Sequence, residues 1–391
     1  MRPEDFPSNR AGQVIKTRTS YWAFIPNPLP PELVYDTALV RLLGEAERAI
    51  GELAGASRLL PDPHLLIAPA VRREAVLSSK IEGTHSGLDD LYFFEAAPDE
   101  VQDSADVREV SHYVTALEYG LARLDEFPLS LRLIREIHER LMRNVRGDAA
   151  RAGEFRTTQN WIGPPGATLL EATFVPPPVP DMEAALDAFE KYLHAENDQT
   201  PPLIRLACIH SQFEMIHPFA DGNGRVGRLL IVLLLVHWGL LPAPLLYLSA
   251  FFERHRDAYY RHLLAVSSEG AWESWVVFFL RGVREQAQDA ALTATRLLDL
   301  QQDYRQRLAA KRLSKITLPL LDALFLNPFT TAPRVRDRFQ VNFRTAQGAI
   351  DDLVDIGVLR EITGQRRNRA WLADGILAAI SGQPETQREA T

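Results

Sequence analysis

The chain has 391 residues, 46% of them hydrophobic, enough for a substantial core and, at roughly 100–200 residues per domain, for two or three domains. A formal net charge of -8 excludes a protein that coats nucleic acid or an acidic membrane with its whole surface, so contact of that kind has to be local. Cys208 is the single cysteine, which excludes an internal disulfide and a zinc finger and suits a reducing cytoplasm.

The opening MRPEDFPSNR lacks a basic n-region and an apolar h-region, so no secretory signal is expected. Residues 1–30, dense in proline and polar groups, predict an irregular arm. From Leu33 to Leu60 the positions Leu39, Leu42, Leu43, Ala46, Ile50 and Leu53 recur at three- and four-residue spacing and predict an amphipathic helix. Further helices are expected over Pro69–Ile81, Ser104–Leu124 and Leu129–Asn144. Residues 151–180 break this texture: short β-like runs, Phe155–Ile162 and Thr168–Val175, flank a Pro-Pro-Gly turn and predict a hairpin. Helical periodicity returns over Met182–Glu196, Pro202–Met215, the stretch after Asn223, Ala258–Ser268 and Trp272–Arg307. The longest apolar run, Leu229–Val236, is far short of the ~18–20 residues that cross a bilayer, so no membrane partner is expected.

Beyond Leu313 the texture shifts to helices over Ile316–Leu326, Ala332–Phe339 and Phe343–Ile356, then strands over Val358–Ile362 and Ala370–Leu372 joined by a basic loop. That is the order of a winged helix-turn-helix. Between Arg305 and Leu372 there are 13 Lys/Arg against 6 Asp/Glu, a local net of about +7 in an acidic chain. Arg344, Arg366, Arg367 and Arg369 are the candidates for phosphate contact, and DNA or protein is the expected partner of this module.

The chemistry concentrates in His217-Pro218-Phe219-Ala220-Asp221-Gly222-Asn223-Gly224-Arg225-Val226-Gly227-Arg228. Glycines that turn the backbone at a helix start make a ready anion site, and Arg225 and Arg228, three apart, lie on one helix face where both can meet a polyphosphate. Asp221 is a hard carboxylate suited to Mg²⁺ held jointly with a nucleotide, and His217 can accept a proton near neutral pH. Gly222, Gly224 and Gly227 also match the dinucleotide fingerprint G-x-G-x-x-G. A strand should precede that fingerprint and an acidic residue follow it, yet IRLACIHSQFEMI reads as helix and the stretch after the motif is apolar.

HPFADGNGRVGR resembles the Fic motif HPFx(D/E)GNGRxxR at every defining position. The upstream IHSQFEMIHPF and GEFRTTQNWIG resemble the lead-in helix and the segment before the flap of Fic domains, and the resemblance covers roughly residues 30–270. It implies a mainly α protein: a Fic-type helical domain with a β-hairpin flap, plus the C-terminal winged helix. Residues 1–100 would be an N-terminal helical region, 101–270 the catalytic domain, 271–312 a helical connector and 313–375 the winged helix.

The resemblance further implies a protein adenylyltransferase. His217 would deprotonate a Ser, Thr or Tyr hydroxyl of a target protein, possibly the chain itself, and the oxygen would attack the α-phosphate of ATP. Asp221 would hold Mg²⁺, Phe219, Gly222, Asn223 and Gly224 would line the nucleotide site, and Arg225 and Arg228 would neutralise the triphosphate. Ser78-Ser79-Lys80-Ile81-Glu82-Gly83 resembles the inhibitory motif (S/T)xxxE(G/N), in which Glu82 pairs with Arg228 and slows the enzyme. Tyr259 and Tyr260 either border adenine or pack in the core, and a homodimer is compatible with the family. The competing reading is a DNA-binding transcription regulator whose Fic-like domain only senses nucleotide.

Overall fold

The computed structural model describes residues 1–58, 64–97, 105–143, 151–196, 198–309, 313–364 and 369–382. The N-terminal arm departs from expectation. It is an antiparallel hairpin of β1 (Gly12–Lys16) and β2 (Trp22–Pro26), with Val14 opposite Phe24. Its run Trp22-Ala23-Phe24-Ile25 has strand chemistry that the surrounding prolines mask. Phe24 is fully buried, and its ring lies 5.6 Å from that of Phe174.

Fifteen helices follow among the described residues. The helix over Thr37–Arg58 (α1) is capped by Asp36, whose Oδ1 accepts the Leu39 N–H at 2.7 Å, and it buries Leu39, Ala46, Ile50 and Leu53 as the spacing requires. Next come α2 (His64–Ile81), α3 (Leu88–Ala96), α4 (Ala105–Leu124) and α5 (Leu131–Met142). Pro69, expected to start α2, lies in its second turn, where it forgoes one helical hydrogen bond without ending the helix.

After the flap, the central pair is α7 (Pro202–Ile216) and α8 (Asn223–His237), preceded by α6 (Val179–Leu193). Nearly every residue of α7 and α8 is buried, because helices apolar on all faces can only sit inside a core. Helices α2, α4, α5 and α7 surround α8. The short α9 (Ser249–Arg254) leads to α10 (Arg256–Glu269) and the long α11 (Trp272–Ala309), which runs along α1 and buries Trp272, Trp275 and Phe279. No helix among the described residues is long and apolar enough to cross a membrane.

The C-terminal module holds α12 (Thr317–Leu326), β3 (Phe329–Thr331), α13 (Ala332–Phe339), α14 (Phe343–Val354), β4 (Arg360–Glu361), β5 (Ala370–Leu372) and α15 (Asp374–Ser381). Its three strands form an antiparallel sheet in the order β3-β5-β4. The module docks on the α2–α3 corner: Asn327 Nδ2 donates to the Tyr92 carbonyl at 3.1 Å, Arg334 donates to the Glu95 carbonyl, and Glu95 also pairs with Arg72 of α2 at 2.8 Å. Arg366 and Arg367 lie outside the described residues. Arg344 is exposed at the start of α14, and Arg369 pairs with Glu361 at 2.7 Å.

Residues 151–178 differ from the predicted hairpin. The strands expected at Phe155–Ile162 and Thr168–Val175 do not form, and one β-bridge, Ile162 to Phe174, closes the segment. Pro164, Pro165 and Pro176–Pro178 supply no N–H for a ladder, which limits pairing to that bridge. The segment is steadied from outside instead: the Phe24 N–H donates to the Val175 carbonyl at 2.9 Å, and the Tyr21 hydroxyl to Gln159 Oε1 at 2.9 Å.

Candidate active site

His217 ends α7 in a left-handed conformation, φ 48° and ψ 59°, and Pro218 cannot continue the helix. Gly222, at φ 80°, turns the chain into α8 with no side chain capping the new helix. The loop between them is held from several sides. Asn223 Oδ1 accepts the Phe219 N–H at 2.8 Å, while its Nδ2 donates to the Phe219 carbonyl at 2.8 Å. From the flap, Asn160 donates to the carbonyls of Phe219 and His217 at 2.9 and 3.2 Å, and Arg156 Nε donates to the His217 carbonyl at 3.0 Å. Below the loop, His138 Nδ1 accepts the Gly153 N–H at 2.9 Å, so the ring proton is on Nε2, which donates to the Asp221 carbonyl at 3.0 Å. Burial keeps His138 neutral by pulling its pKa to about 4, and its ring stacks on Phe219 at 3.7 Å.

This loop opens on a cleft of about 600 Å³, within the range of small-ligand sites. His217, Gly224 and Arg228 form one wall, Tyr260, Leu263 and Ser267 of α10 another, and Trp161 and Ile162 of the flap lie across it. Burial, reinforced by Arg156, pulls the His217 pKa down to about 4. Its Nδ1 lies 3.3 Å from the Glu214 carbonyl, a group that only accepts, so Nε2 keeps the lone pair. A neutral imidazole with its base nitrogen free is what proton abstraction requires.

Arg228, buried in the cleft wall, has its Nε and Nη2 donors engaged. Its Nε donates to Ser78 Oγ at 2.8 Å, and its Nη2 to the Ser78 carbonyl at 2.8 Å and to Glu82 Oε1 at 2.7 Å. Gly83, in a left-handed conformation, follows Glu82 at the end of α2. A side chain at Gly224 would collide with Glu82 Oε1, so the glycine is what lets this carboxylate reach the start of α8. There the positive end of the helix favours it, as it would favour a phosphate.

The two arginines face different partners. Arg225 was expected to meet the triphosphate beside Arg228, but it is buried against Glu109 of α4 and Met142 of α5 and does not border the cleft. Three residues advance a helix by about 300°, which leaves the two positions only about 60° apart, so it is the long side chains that diverge, Arg225 to Glu109 and Arg228 to Ser78 and Glu82. Phe219 and Asn223 likewise shape the loop without bordering the cleft. Asp221 and Gly222 also lie outside the cleft lining, at its edge in sequence; the Asp221 side chain is 45% exposed, and its Oδ1 accepts the Gly222 N–H at 2.6 Å and lies 3.7 Å from Arg225 Nη2. Among the described residues no group of three or more His, Cys, Asp or Glu could hold a metal. A single accessible carboxylate therefore fits Mg²⁺ that arrives with a nucleotide rather than a cation caged by protein.

Four residues that matter here carry little or no signal in the sequence. His138 has no local motif around it. Arg156 and Asn160 sit within GEFRTTQNWIG, where only the resemblance drew attention to them. Glu109 has no marker in sequence at all. Tyr259 is buried, its hydroxyl 2.8 Å from His210 Nε2, while Tyr260 is 41% exposed, and both border the cleft.

Residues 40–122 match the family model described as Fic/DOC family N-terminal, and residues 128–235 match that of the Fic/DOC family. The chain is 33% identical over 168 residues to a protein of Culex quinquefasciatus named Protein adenylyltransferase Fic, a match covering 43% of this chain and 30% of that one. It is 31% identical over 182 residues to the protein of that name from Drosophila melanogaster, covering 46% and 33%. The chain thus spans about a third of the length of the curated relatives it matches. A Fic family protein from Desulfovibrio desulfuricans has the same fold, with a TM-score of 0.58 at 20% identity over 88% of this chain and 98% of that one. A Fic domain containing signaling protein from Bacteroides thetaiotaomicron superposes with a TM-score of 0.52 at 17% identity, covering 65% and 97%.

Proposed function

Since the chain carries Fic/DOC domains at residues 40–122 and 128–235, we propose that it is a protein adenylyltransferase held in check by its own Glu82. In this reading His217 Nε2 takes the proton of a Ser, Thr or Tyr hydroxyl on a target protein, which can be another copy of the chain. The hydroxyl oxygen bonds to the α-phosphorus of ATP as the bond to pyrophosphate breaks. The uncapped start of α8, with Gly222 and Gly224, receives phosphate oxygens, and Arg228 meets the triphosphate once it is free. Asp221 would hold Mg²⁺, which supplies charge neutralisation along the phosphates. Arg225 supports this machinery from behind: its pairing with Glu109 and contact with Met142 fix the first turn of α8.

The observation that carries the reading is the cleft that joins a neutral His217 to an Arg228 tied down by Ser78 and Glu82. These three hydrogen bonds leave no Nε or Nη2 donor for a phosphate, and the Glu82 carboxylate offsets the positive charge that would attract one. Glu82→Gly should therefore raise AMP transfer by about 10- to 100-fold, the scale of a charge-assisted hydrogen bond of about 1.5–3 kcal/mol. Incubation with labelled ATP and mass spectrometry of the acceptor provide the test. A gain of AMP that disappears in Glu82→Gly/His217→Ala supports the reading. A gain of phosphate, or equal rates with and without Glu82, counts against it.

A second role is suggested by Arg344, exposed at the start of α14 within a basic module. DNA reading by that module predicts duplex binding that weakens steeply with salt and is lost in Arg344→Ala without loss of transfer.

A further inference from the structure

Two polar atoms in the cleft region have no partner. Ser211 Oγ and Glu214 Oε1, one turn apart on α7, are both buried without a hydrogen bond, and both residues border the cleft. A buried polar group left unpaired is destabilising, so a pair of them beside a ligand cavity points to the ligand as the missing partner. Gly227, at a position the motif leaves open, makes the room: a Cβ there would come within 2.5 Å of Glu214 Oε1.

Position along α7 says which part of a nucleotide is reached. With His217 at the α-phosphate, Glu214 lies about 4.5 Å back along the helix and Ser211 about 9 Å back, at 1.5 Å per residue. The first distance is that of the ribose hydroxyls from the α-phosphate, and the second leads toward the base and the α10 wall. The charged groups around Glu214 are Arg228 and Glu82, and His210 Nε2 is 4.0 Å away. Burial, opposed by Arg228 and aided by Glu82, pushes the Glu214 carboxyl up to about 8. At neutral pH it is mainly protonated and can both donate and accept a hydrogen bond, which suits a sugar hydroxyl.

We propose that Glu214 hydrogen-bonds a ribose hydroxyl of the nucleotide and makes the site select ribonucleotides over deoxyribonucleotides. The proposal rests on the nucleotidyl-transfer reading above. Its test is calorimetric titration of the Glu82→Gly protein, and of the same protein carrying Glu214→Ala or Glu214→Gln, with ATP, 2′-deoxy-ATP and 3′-deoxy-ATP. The Glu82→Gly protein should prefer ATP to at least one deoxy analogue by about 10- to 100-fold, since a site built around a substrate hydroxyl rejects its absence. Glu214→Ala should reduce that ratio to within about twofold, and Glu214→Gln, which keeps shape and hydrogen-bonding capacity, should retain part of it. A merely structural Glu214 would weaken all three nucleotides equally and leave the ratio intact, which overturns the proposal, as does a Glu82→Gly protein with no preference. Failure of that protein to bind ATP at all would strike the transfer reading itself, and this proposal with it.

Discussion

The motif loop and the flap lie against each other across one cleft, yet they are built on opposite plans. The loop from His217 to Gly222 is short and has its carbonyls claimed by Asn223, Asn160, Arg156 and His138, so side-chain hydrogen bonds specify its path. The flap has one β-bridge in place of a strand ladder and is held otherwise by side-chain bonds, Gln159 to the Pro176 carbonyl at 3.0 Å and Trp161 to the Ala167 carbonyl at 2.8 Å among them, and by β2 and Tyr21. The loop's path is thus specified by bonds to its backbone carbonyls from neighbouring elements, and the flap's by side chains that bond within it in place of a ladder. Under the proposed transfer, precise placement of a base and an anion site accounts for large rate factors, whereas a flap without a ladder can adjust side chain by side chain to a polypeptide.

Breaking the stiff side should have the largest effect. Asn223→Ala leaves the buried Phe219 N–H without its acceptor and removes one donor from the Phe219 carbonyl, a loss of about 2 kcal/mol of stability. Displacement of His217 should lower AMP transfer by about 100-fold. Calorimetric melting and a transfer assay in the Glu82→Gly background measure both, and a near-normal rate would show that the loop tolerates slack. Tyr21→Phe, on the soft side, removes the hydroxyl bond to Gln159 and should weaken flap order by about 1 kcal/mol. The expected signature is a severalfold rise in KM for the protein target with KM for ATP unchanged. Equal shifts in both would mean that the flap is not a separate body.

The smallest effect is the most specific. If His217, whose pKa burial pulls down to about 4, is the base of the proposed transfer, its active neutral form dominates above that value and is lost only as pH falls through it. Between pH 7 and 5 the rate on a fixed substrate should change by less than about twofold. A decline centred near the ordinary histidine value of about 6.5 would contradict the burial that separates this loop from the flap.

The contrast also explains what could be read from the sequence. The helices were legible because burial follows their periodicity, and the motif was legible because each residue type has one local task. The Glu82–Arg228 pair, 146 positions apart, was legible through resemblance alone. The N-terminal hairpin and the flap differ from expectation because prolines obscure the one and interrupt the other, and because their mutual contacts, through Phe24, Phe174 and Val175, fall in no single local window. Three-residue spacing places Arg225 beside Arg228 but does not say which way its side chain extends. What decides its direction is Glu109 on α4, a carboxylate with nothing in the sequence to mark it.

The backbone at His217 carries a thermodynamic handicap. A left-handed residue with a β-carbon is less favourable by about 1 kcal/mol or more, and helices ordinarily end such a turn with glycine. The relaxed choice has no imidazole, and the imidazole has no relaxed choice. Under the proposed transfer, heat resistance and turnover pull against each other at a single position, and selection for a sturdier protein at that site would remove the imidazole.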